Sequence, residues 1–165
     1  MVDPKSEFVK LLMQHQNIVH KICRAYCPIA AERQDMFQEI ALQLWRSYPN
    51  FRGDARESTW IYRVALNVAI SSVRRSKKSA KPLDDFHGQL PDLQDTTDSD
   101  ERMDLLYQAI YTLTDLEKAL VLLYFEDKSM DEIAALAGTS VGNVRVKMYR
   151  IREKLRAHIQ RIPSP

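Results

Sequence analysis

The chain has 165 residues, of which 45% are hydrophobic and 28% are charged, and its formal net charge is +2. This length suits one ordinary domain or two small ones, and the hydrophobic share is sufficient for folded cores, which excludes a disordered or fibrous protein. The chain has 4 glycines, which argues against glycine-rich phosphate loops and against architectures built from tight β-hairpins. We therefore expect an all-α protein.

The N-terminal sequence MVDPKSEF contains no apolar signal core, and no stretch approaches the roughly 18 uninterrupted apolar residues that a membrane helix requires. Cys23 and Cys27 are four positions apart, so a disulfide between them would restrain very little of the chain. These features predict a cytoplasmic protein in a reducing compartment, without membrane insertion.

Three amphipathic segments follow one another in the first half of the chain. Apolar residues between Phe8 and Tyr26 recur every three or four positions, which predicts one helix that ends before Pro28. The same spacing predicts a second helix over 31–47 and a third over 58–77. The side chains expected to be buried on the second helix are Met36, Phe37, Ile40, Ala41, Leu44 and Trp45. Three helices joined by short loops predict a small bundle.

Helix boundaries are well marked in the second half of the chain. The sequences TDLE at 114–117 and SMDE at 129–132 are capping boxes, in which the hydroxyl and the carboxylate each bind a backbone N–H at a helix start. Gly138 suits a left-handed cap that ends the helix opened by the second box. Ser140 then caps the last helix, whose apolar stripe is Val141, Val144, Met148, Ile151 and Leu155. A short helix, a turn with glycine and a longer helix predict a helix-turn-helix.

The net charge hides an uneven distribution along the chain. Segment 52–81 has eight basic and two acidic residues, a balance of +6. Segment 84–104 has eight acidic residues and one basic residue, a balance of −7. Segment 143–161 has seven basic residues and one acidic residue, again +6. The sequence therefore predicts two basic lobes joined by an acidic linker, with a candidate phosphate-binding surface on each lobe.

The first candidate surface lies on the last helix, because the second helix of a helix-turn-helix places its N-terminal part in the major groove. The side chains best placed to reach bases are Asn143, Arg145, Val146 and Lys147. Those further along, which we expect to contact phosphates, are Arg150, Arg152 and Lys154. The alternative is a solvated basic helix end, where cations interact favourably with the helix dipole.

The second candidate surface combines aromatic and basic side chains before and within the third helix. Its members are Phe51, Arg52, Arg56, Trp60, Tyr62 and Arg63. Rings that stack on unpaired bases beside a cationic track suit single-stranded nucleic acid. The alternative is that Trp60 or Tyr62 belongs to the core.

Two further groups of residues suggest contacts outside DNA. Leu42 falls on the polar face of the second helix, and we interpret it as part of a protein-docking patch; its polar neighbours are Asp35, Gln38, Glu39 and Arg46. His20, Cys23 and Cys27 share one helical face and could in principle supply three zinc ligands. A small-residue packing face with an incidental histidine is the better explanation, because no fourth ligand is obvious and a free cysteine is usually buried. We find no phosphate-binding loop, zinc-protease motif, dinucleotide fingerprint or nucleophile–base pair, so we expect no enzymatic activity and no cofactor.

The residues at several positions of the first half resemble region 2 of the extracytoplasmic-function sigma factors. These proteins are group IV of the sigma-70 family, the promoter-specificity subunits of bacterial RNA polymerase. The matching motifs are QDMFQE at 34–39, LW at 44–45, FRG at 51–53, TWIYRVA at 59–65 and NVAI at 67–70. Region 4 of the same family resembles LT at 113–114, EIA at 132–134 and GTSVGNV at 138–144. The two resemblances occur in the family's order and together span nearly the whole chain.

The resemblance implies a core RNA polymerase partner. The positions that match the family's contacts with the clamp helices of the largest subunit are Asp35, Gln38 and Glu39, and Leu42 would join them. Region 4 would reach the flap region of the polymerase. The acidic linker resembles a segment that passes towards the active-site and RNA-exit channels, and an anti-sigma factor is a further partner that the family implies.

The resemblance also implies promoter DNA as a partner. The segment 51–75 would melt and read the minus-ten element, and its candidate contacts are Phe51, Arg52, Arg56, Trp60, Tyr62, Arg63, Asn67, Arg74 and Arg75. The last helix would read the minus-thirty-five element through Ser140, Asn143, Arg145, Val146, Lys147 and Arg150. Many members have aspartate where Ser71 stands and a small polar residue at the position of Val146, so a relative's promoter sequence does not transfer to this chain.

We therefore predict a region 2 domain over 1–80, an acidic linker over 81–102 and a region 4 helix-turn-helix domain over 103–165. One alternative is an autonomous helix-turn-helix regulator with an N-terminal sensor or dimerisation bundle, which would bind duplex DNA tightly without polymerase. A second alternative is a metal or thiol sensor built on His20, Cys23 and Cys27.

Overall fold

The structure is a computed structural model that describes residues 2–79 and 98–161. Within these residues every regular element is helical, which confirms the all-α prediction. The chain divides into two compact units, Met1–His87 and Gly88–Pro165. The helices are α1 (Pro4–Gln14), α2 (Gln16–Tyr26), α3 (Ala30–Ser47), α4 (Glu57–Ser79), α5 (Asp98–Ile110), α6 (Asp115–Phe125), α7 (Met130–Ala137) and α8 (Val141–Arg161), with a 3-10 turn at Tyr48–Asn50.

The N-terminal unit is a bundle in which α2, α3 and α4 pack against one another. The side chains at its centre are fully buried or nearly so: Val19, Ile22, Ile40, Leu44, Ile61 and Tyr62. Each of these three helices contributes an apolar stripe at helical spacing, so burial of the stripes against each other stabilises the bundle. The helices predicted over 31–47 and 58–77 are confirmed.

The single helix predicted between Phe8 and Tyr26 is wrong, because the chain forms two helices that separate at His15. His15 has φ −114° and ψ 15°, and its backbone N–H donates to the carbonyls of both Leu11 and Leu12. The apolar stripe is interrupted between Leu12 and Ile18, so no buried side chain holds the helix continuous at this point. At the other end of α1, Asp3 caps the helix and Pro4 occupies its first turn.

Burial on α3 follows the predicted stripe in its centre and departs from it at the end. Met36, Ile40 and Leu44 are buried, whereas Phe37 and Ala41 are half-buried. Trp45 is 40% exposed, so the prediction that it is a core residue is wrong. Its ring lies at the last turn of α3, where it packs on Phe8 of α1 at 5.1 Å between ring centroids and leaves part of the indole in solvent.

The C-terminal unit has the helix boundaries that the sequence predicts. At the start of α6 both hydrogen bonds of the capping box form: the Thr114 hydroxyl accepts from the Glu117 N–H, and Glu117 accepts from the Thr114 N–H. At the start of α7 the Ser129 hydroxyl accepts from the Glu132 N–H, as predicted. The Glu132 carboxylate accepts from the Ser129 hydroxyl instead of the Ser129 N–H, so only half of the second predicted capping box forms. Helix α5 begins at Asp98, inside the predicted linker 81–102, and residues 80–97 lie outside the described residues.

The helix-turn-helix consists of α7 and α8 with a left-handed residue between them. Gly138 has φ 69° and ψ 36°, and its N–H bonds to the Ala134 carbonyl at the end of α7. The Ser140 hydroxyl accepts from the Asn143 N–H and caps α8. On α8 the buried side chains are Val144, Met148, Ile151 and Leu155, and Val141 is half-buried. In the part of the chain that the structure describes, no helix is long and apolar enough to cross a membrane.

Candidate promoter and polymerase interfaces

The face of α8 opposite its buried stripe is polar, basic and open to solvent. The predicted base-reading side chains Asn143, Arg145 and Val146 are exposed, as is Arg150 one turn further on, while Lys147 is half-buried. The amide nitrogen of Asn143 donates to the Thr139 hydroxyl at 3.1 Å, which fixes the direction of that side chain. The structure thus places Asn143, Val146 and Arg150 on the side of α8 away from the buried stripe, with Ser140 at its N-terminal end, while Arg145 and Lys147 lie on the two flanks.

Two of the expected phosphate contacts on α8 have internal partners. Arg152 donates to the Tyr124 hydroxyl at 2.6 Å, and its guanidinium lies 4.8 Å from the centroid of that ring. Lys154 bonds to both carboxylate oxygens of Glu117, at 3.0 and 2.8 Å. Both contacts join α8 to α6, so these cations stabilise the packing of the unit. Arg152 and Lys154 nevertheless remain exposed, as do Arg145 and Arg150 nearer the N-terminus of α8.

The second candidate surface begins at the loop between the 3-10 turn and α4. Phe51 and Trp60 stack with ring centroids 4.7 Å apart and an interplanar angle of 25°, and both remain half-buried. Arg52, Arg56 and Arg63 are exposed around them. The loop turns at Gly53, whose φ of 77° is in the left-handed region that glycine adopts without strain. The loop and the first turns of α4 therefore carry two stacked rings and three exposed arginines.

Tyr62 does not belong to this surface. Its relative exposure is 0%, and it lies in the core with Ile61, Ala65 and Ala69. The prediction that Tyr62 contacts DNA is therefore wrong, and the alternative that it is a core residue holds. Position 62 falls on the side of α4 that packs against α2 and α3, so the ring is buried. Residue type alone does not separate Tyr62 from its aromatic neighbour Trp60.

Asn67 lines a groove between α3 and α4. The groove encloses about 530 Å³ and presents the side chains of Gln43, Ser47, Asn67 and Ser71 around the apolar Val64. Amide and hydroxyl groups of this kind can bond to the edges of an unpaired base, and a valine floor can contact its face. Arg74 is exposed further along α4.

The predicted docking patch forms a continuous surface on α3. Asp35, Gln38 and Leu42 are exposed, and the 48% exposure of Leu42 confirms that this leucine lies outside the core. Glu39 is half-buried, and its carboxylate accepts a hydrogen bond from the Arg75 guanidinium of α4. Since Glu39 was predicted to contact polymerase and Arg75 to contact DNA, one ion pair joins the two predicted surfaces.

The proposed zinc ligands of α2 do not converge. His20 is exposed and stacks on Phe37 at 4.7 Å, whereas Cys23 and Cys27 are buried. The Cys27 thiol contacts the Met36 sulfur at 3.6 Å. Burial and the neighbouring Cys27 raise the pKa of Cys23 to about 12, so its thiol stays protonated at neutral pH. Among the described residues, no group of three or more His, Cys, Asp or Glu side chains is placed to hold a metal ion.

Two features of the site were not expected from the sequence. Tyr149 is 67% exposed on α8, three residues after Val146. Residues three apart are neighbours on a helix surface, so this spacing could have identified Tyr149 as part of the same surface. His15 Nε2 lies 3.2 Å from a carboxylate oxygen of Glu57 and joins the α1–α2 junction to the start of α4. The separation of 42 positions between these two residues leaves no local pattern that could have revealed the contact.

Two family models match the chain on either side of the predicted linker. Residues 11–79 match sigma-70 region 2, and residues 103–155 match sigma-70 region 4. The RNA polymerase sigma-H factor of Pseudomonas aeruginosa is 32% identical over 169 residues, covering 94% of this chain and 88% of that protein. The ECF RNA polymerase sigma-E factor of Escherichia coli is 30% identical over 166 residues, covering 93% and 86%. The chain belongs to the extracytoplasmic-function sigma factors.

Solved sigma factor structures share the fold of this sigma factor. The sigma factor RpoE of Bartonella quintana, solved with the anti-sigma factor NepR, has a TM-score of 0.69 at 17% identity, covering 95% of this chain and 99% of that one. CnrH, solved with the cytosolic domain of CnrY, has a TM-score of 0.66 at 19% identity, covering 94% and 89%. The family confirms the prediction made from the sequence motifs and favours a sigma factor over an autonomous regulator.

Proposed function

We propose that this sigma factor binds core RNA polymerase through α3 and directs it to promoters that carry two elements. The N-terminal unit melts and reads the minus-ten element, and α8 reads the minus-thirty-five element. The observation that supports this division most directly is that each matched region exposes its own basic surface, one with stacked rings and one on a recognition helix. Unpaired bases require stacking surfaces, whereas duplex DNA is read through its major groove.

The minus-ten role rests on the loop at 51–56 and the groove beside it. A melted strand exposes bases that can stack on Phe51 and Trp60, while Arg52, Arg56 and Arg63 neutralise its phosphates. The groove at Asn67 can take a base that leaves the stack. Arg74 and Arg75 extend the cationic track along α4.

The minus-thirty-five role rests on the exposed face of α8. Arginine and asparagine can bond to guanine and adenine edges through paired hydrogen bonds, and Val146 can contact a thymine methyl group. Because Asn143 is already held by Thr139 at 3.1 Å, its amide approaches the groove in a fixed direction. Each such contact discriminates by about 1–3 kcal/mol, which is too little to select one promoter in a genome, so both elements are needed.

The docking role rests on α3, where two acidic groups and an amide surround an exposed leucine. An apolar centre with a polar rim is the usual anatomy of a protein interface. We expect the reversal Asp35→Lys to weaken binding to core polymerase at least tenfold, and Leu42→Ala to weaken it by a smaller factor. Asp131→Lys, which reverses an exposed acid on α7, is the matched control for net charge.

The measurement is competition with another sigma factor for core polymerase, followed by transcription from mapped promoters. Wild type and Asp131→Lys should compete equally, and Asp35→Lys should not. Equal competition by all variants would contradict docking through α3. Failure of the wild type to bind core polymerase, together with tight duplex binding by the free protein in a gel shift, would contradict the proposed function as a whole.

The remaining assignments follow from this role. We place the protein in the cytoplasm with the polymerase, without catalytic activity of its own. The domain limits are 1–80 and 103–165, with a linker between them. An anti-sigma factor that covers the α3 patch would prevent docking; the structural relative from Bartonella quintana was solved with such a partner.

A further inference from the structure

A second cleft in the N-terminal unit shares Phe51 with the candidate minus-ten surface and is otherwise lined by residues that belong to none of the surfaces assigned so far. It encloses about 830 Å³ between α1 and the turn that follows α3. Glu7, Lys10 and Gln14 of α1 line one wall. Trp45, Tyr48 and Phe51 line the facing wall, and Glu57 at the start of α4 adds a second carboxylate to the lining.

The facing wall is a series of aromatic rings with solvent access. Trp45 and Tyr48 lie nearly parallel, with an interplanar angle of 17° and ring centroids 6.4 Å apart. The indole of Trp45 is 40% exposed, so this ring offers surface that the fold does not cover. Phe51 continues the series and stacks on Trp60, so the cleft and the loop proposed to bind the melted strand share one aromatic side chain.

The opposite wall supplies groups that fit a nucleobase. Glu7, Lys10 and Gln14 are exposed on α1. A carboxylate accepts from the exocyclic amino group of cytosine or adenine, and an amide can both donate and accept at a base edge. Lys10 adds a cation that can contact a phosphate at the rim. An aromatic platform, edge-reading groups and a nearby cation together are the requirements for holding one unpaired nucleotide.

Part of the α1 wall lies outside the matched family region, although Gln14 and the aromatic wall lie inside it. The region 2 match begins at residue 11, so Glu7 and Lys10 precede it. The groove at Asn67 has different lining residues, on α3 and α4. The two cavities therefore provide two separate places for bases of one strand.

We propose that this cleft binds a second unpaired base of the melted promoter strand, stacked on the Trp45 side and read by Glu7 and Gln14. The inference rests on the proposed function, because it requires a melted promoter. A nucleic acid suits the cleft better than a protein partner, since Phe51 leads directly into the arginine-rich loop that contains Arg52 and Arg56. Binding at this site would lengthen the promoter sequence that the N-terminal unit reads.

The test uses holoenzyme assembled from core polymerase and the full chain, with promoter fragments that contain a preformed bubble. One abasic site is placed in turn at each non-template position in and beside the minus-ten element, and binding is measured for wild type, Gln14→Ala and Lys10→Ala. We expect one abasic position to weaken wild-type binding about fivefold or more, the size of effect that base stacking produces. The Gln14→Ala holoenzyme should lose most of that sensitivity, because the two changes remove the same interaction. Met13→Ala, which alters an exposed side chain of α1 outside the cleft, should retain the wild-type profile.

Each other outcome has a definite meaning. Every abasic position could instead weaken binding of Gln14→Ala and Lys10→Ala as much as it weakens binding of the wild type. If the wild type also transcribes normally, that result overturns the proposed base site and leaves the proposed function intact. If these variants instead weaken assembly with core polymerase, the cleft is a protein contact and the proposal is overturned. If wild-type holoenzyme does not bind the bubble at all, the proposed function itself fails.

Discussion

Glu117 is the residue on which the capping of α6 and its packing against α8 both depend. Burial raises the pKa of this carboxyl, but hydrogen bonds from Lys154, from the Thr114 N–H and from the Thr114 hydroxyl outweigh burial, so its pKa lies below the ordinary 4.5. The charged form is therefore the one that stabilises the fold. This stabilisation is fully present above the ordinary pKa and is lost as the pH falls through the lowered pKa of the folded state.

We expect Glu117→Ala to destabilise the C-terminal unit by about 2 kcal/mol, because it removes a cap contact and the partner of Lys154. Glu117→Gln should cost less, since an amide oxygen can still accept from the Thr114 N–H. The matched control is Glu153→Ala, which removes an exposed partner of Arg156 and should change stability by only a few tenths of a kcal/mol. Hydrogen exchange of the α6 and α8 amides measures these differences. Equal protection in Glu117→Ala and wild type would refute this role.

Cys23 predicts an opposite dependence on pH. Its folded pKa of about 12 exceeds the ordinary 9.0, so the folded state retains a proton that the unfolded state releases. The stability that this provides is complete below pH 9.0 and declines as the pH rises towards 12. Denaturant titrations from pH 8 to 11 should therefore show a steeper loss of stability in wild type than in Cys23→Ala, which has no thiol at this position. Parallel slopes in the two proteins would show that the thiol does not contribute.

At the scale of the helices, the left-handed Gly138 determines how α7 turns into α8. An added Cβ would meet no atom within 4 Å, so the cost of replacing this glycine is conformational rather than steric. We expect Gly138→Ala to destabilise the unit by about 1–2 kcal/mol. Gly138→Asn should cost less, because asparagine tolerates this conformation better.

Gly142 is the control within the same motif. It also has open space around its Cβ position, but it lies inside α8 with no positive φ. Gly142→Ala should therefore stabilise the helix, by up to about 1 kcal/mol. Thermal unfolding followed by circular dichroism compares the two alanine variants. A loss of stability in both would show that the conformation of Gly138 is not the cause.

The sequence predicted those elements whose signals are local. The first capping box, the Ser129 cap, Gly138 and the stripes of α4 and α8 depend on residues within a few positions of one another, and the structure has them where they were expected. The stripe of α3 is as expected up to Leu44. The contact of His15 with Glu57 involves another helix. The burial of Tyr62 depends on which side of α4 packs against α2 and α3, and the engagement of Arg152 depends on Tyr124 of α6. Such contacts are set by tertiary packing, and residue type alone does not reveal them.

At the scale of the whole molecule, the near-neutral sum of charges conceals the functional arrangement. The basic balance of +6 over 52–81 and over 143–161 is offset by −7 between them. In the proposed function each basic surface alone would bind DNA with modest selectivity, so discrimination would depend on both acting on one promoter. The covalent connection then raises the effective concentration of the second surface once the first has bound.

This dependence predicts the effect of cutting the chain between its two units. A protease site inserted within 81–97 should leave transcription unchanged while the chain is uncut. Cleavage before assembly should lower transcription from a promoter with both elements by about 10²–10⁴-fold, the contribution that linkage of two modest binding sites provides. On a fragment with a preformed bubble and no minus-thirty-five element, cut and uncut proteins should differ little, because only the N-terminal unit is required there. Equal transcription by cut and uncut proteins on the complete promoter would mean that polymerase holds each unit independently, and that the linker contributes nothing to promoter selection.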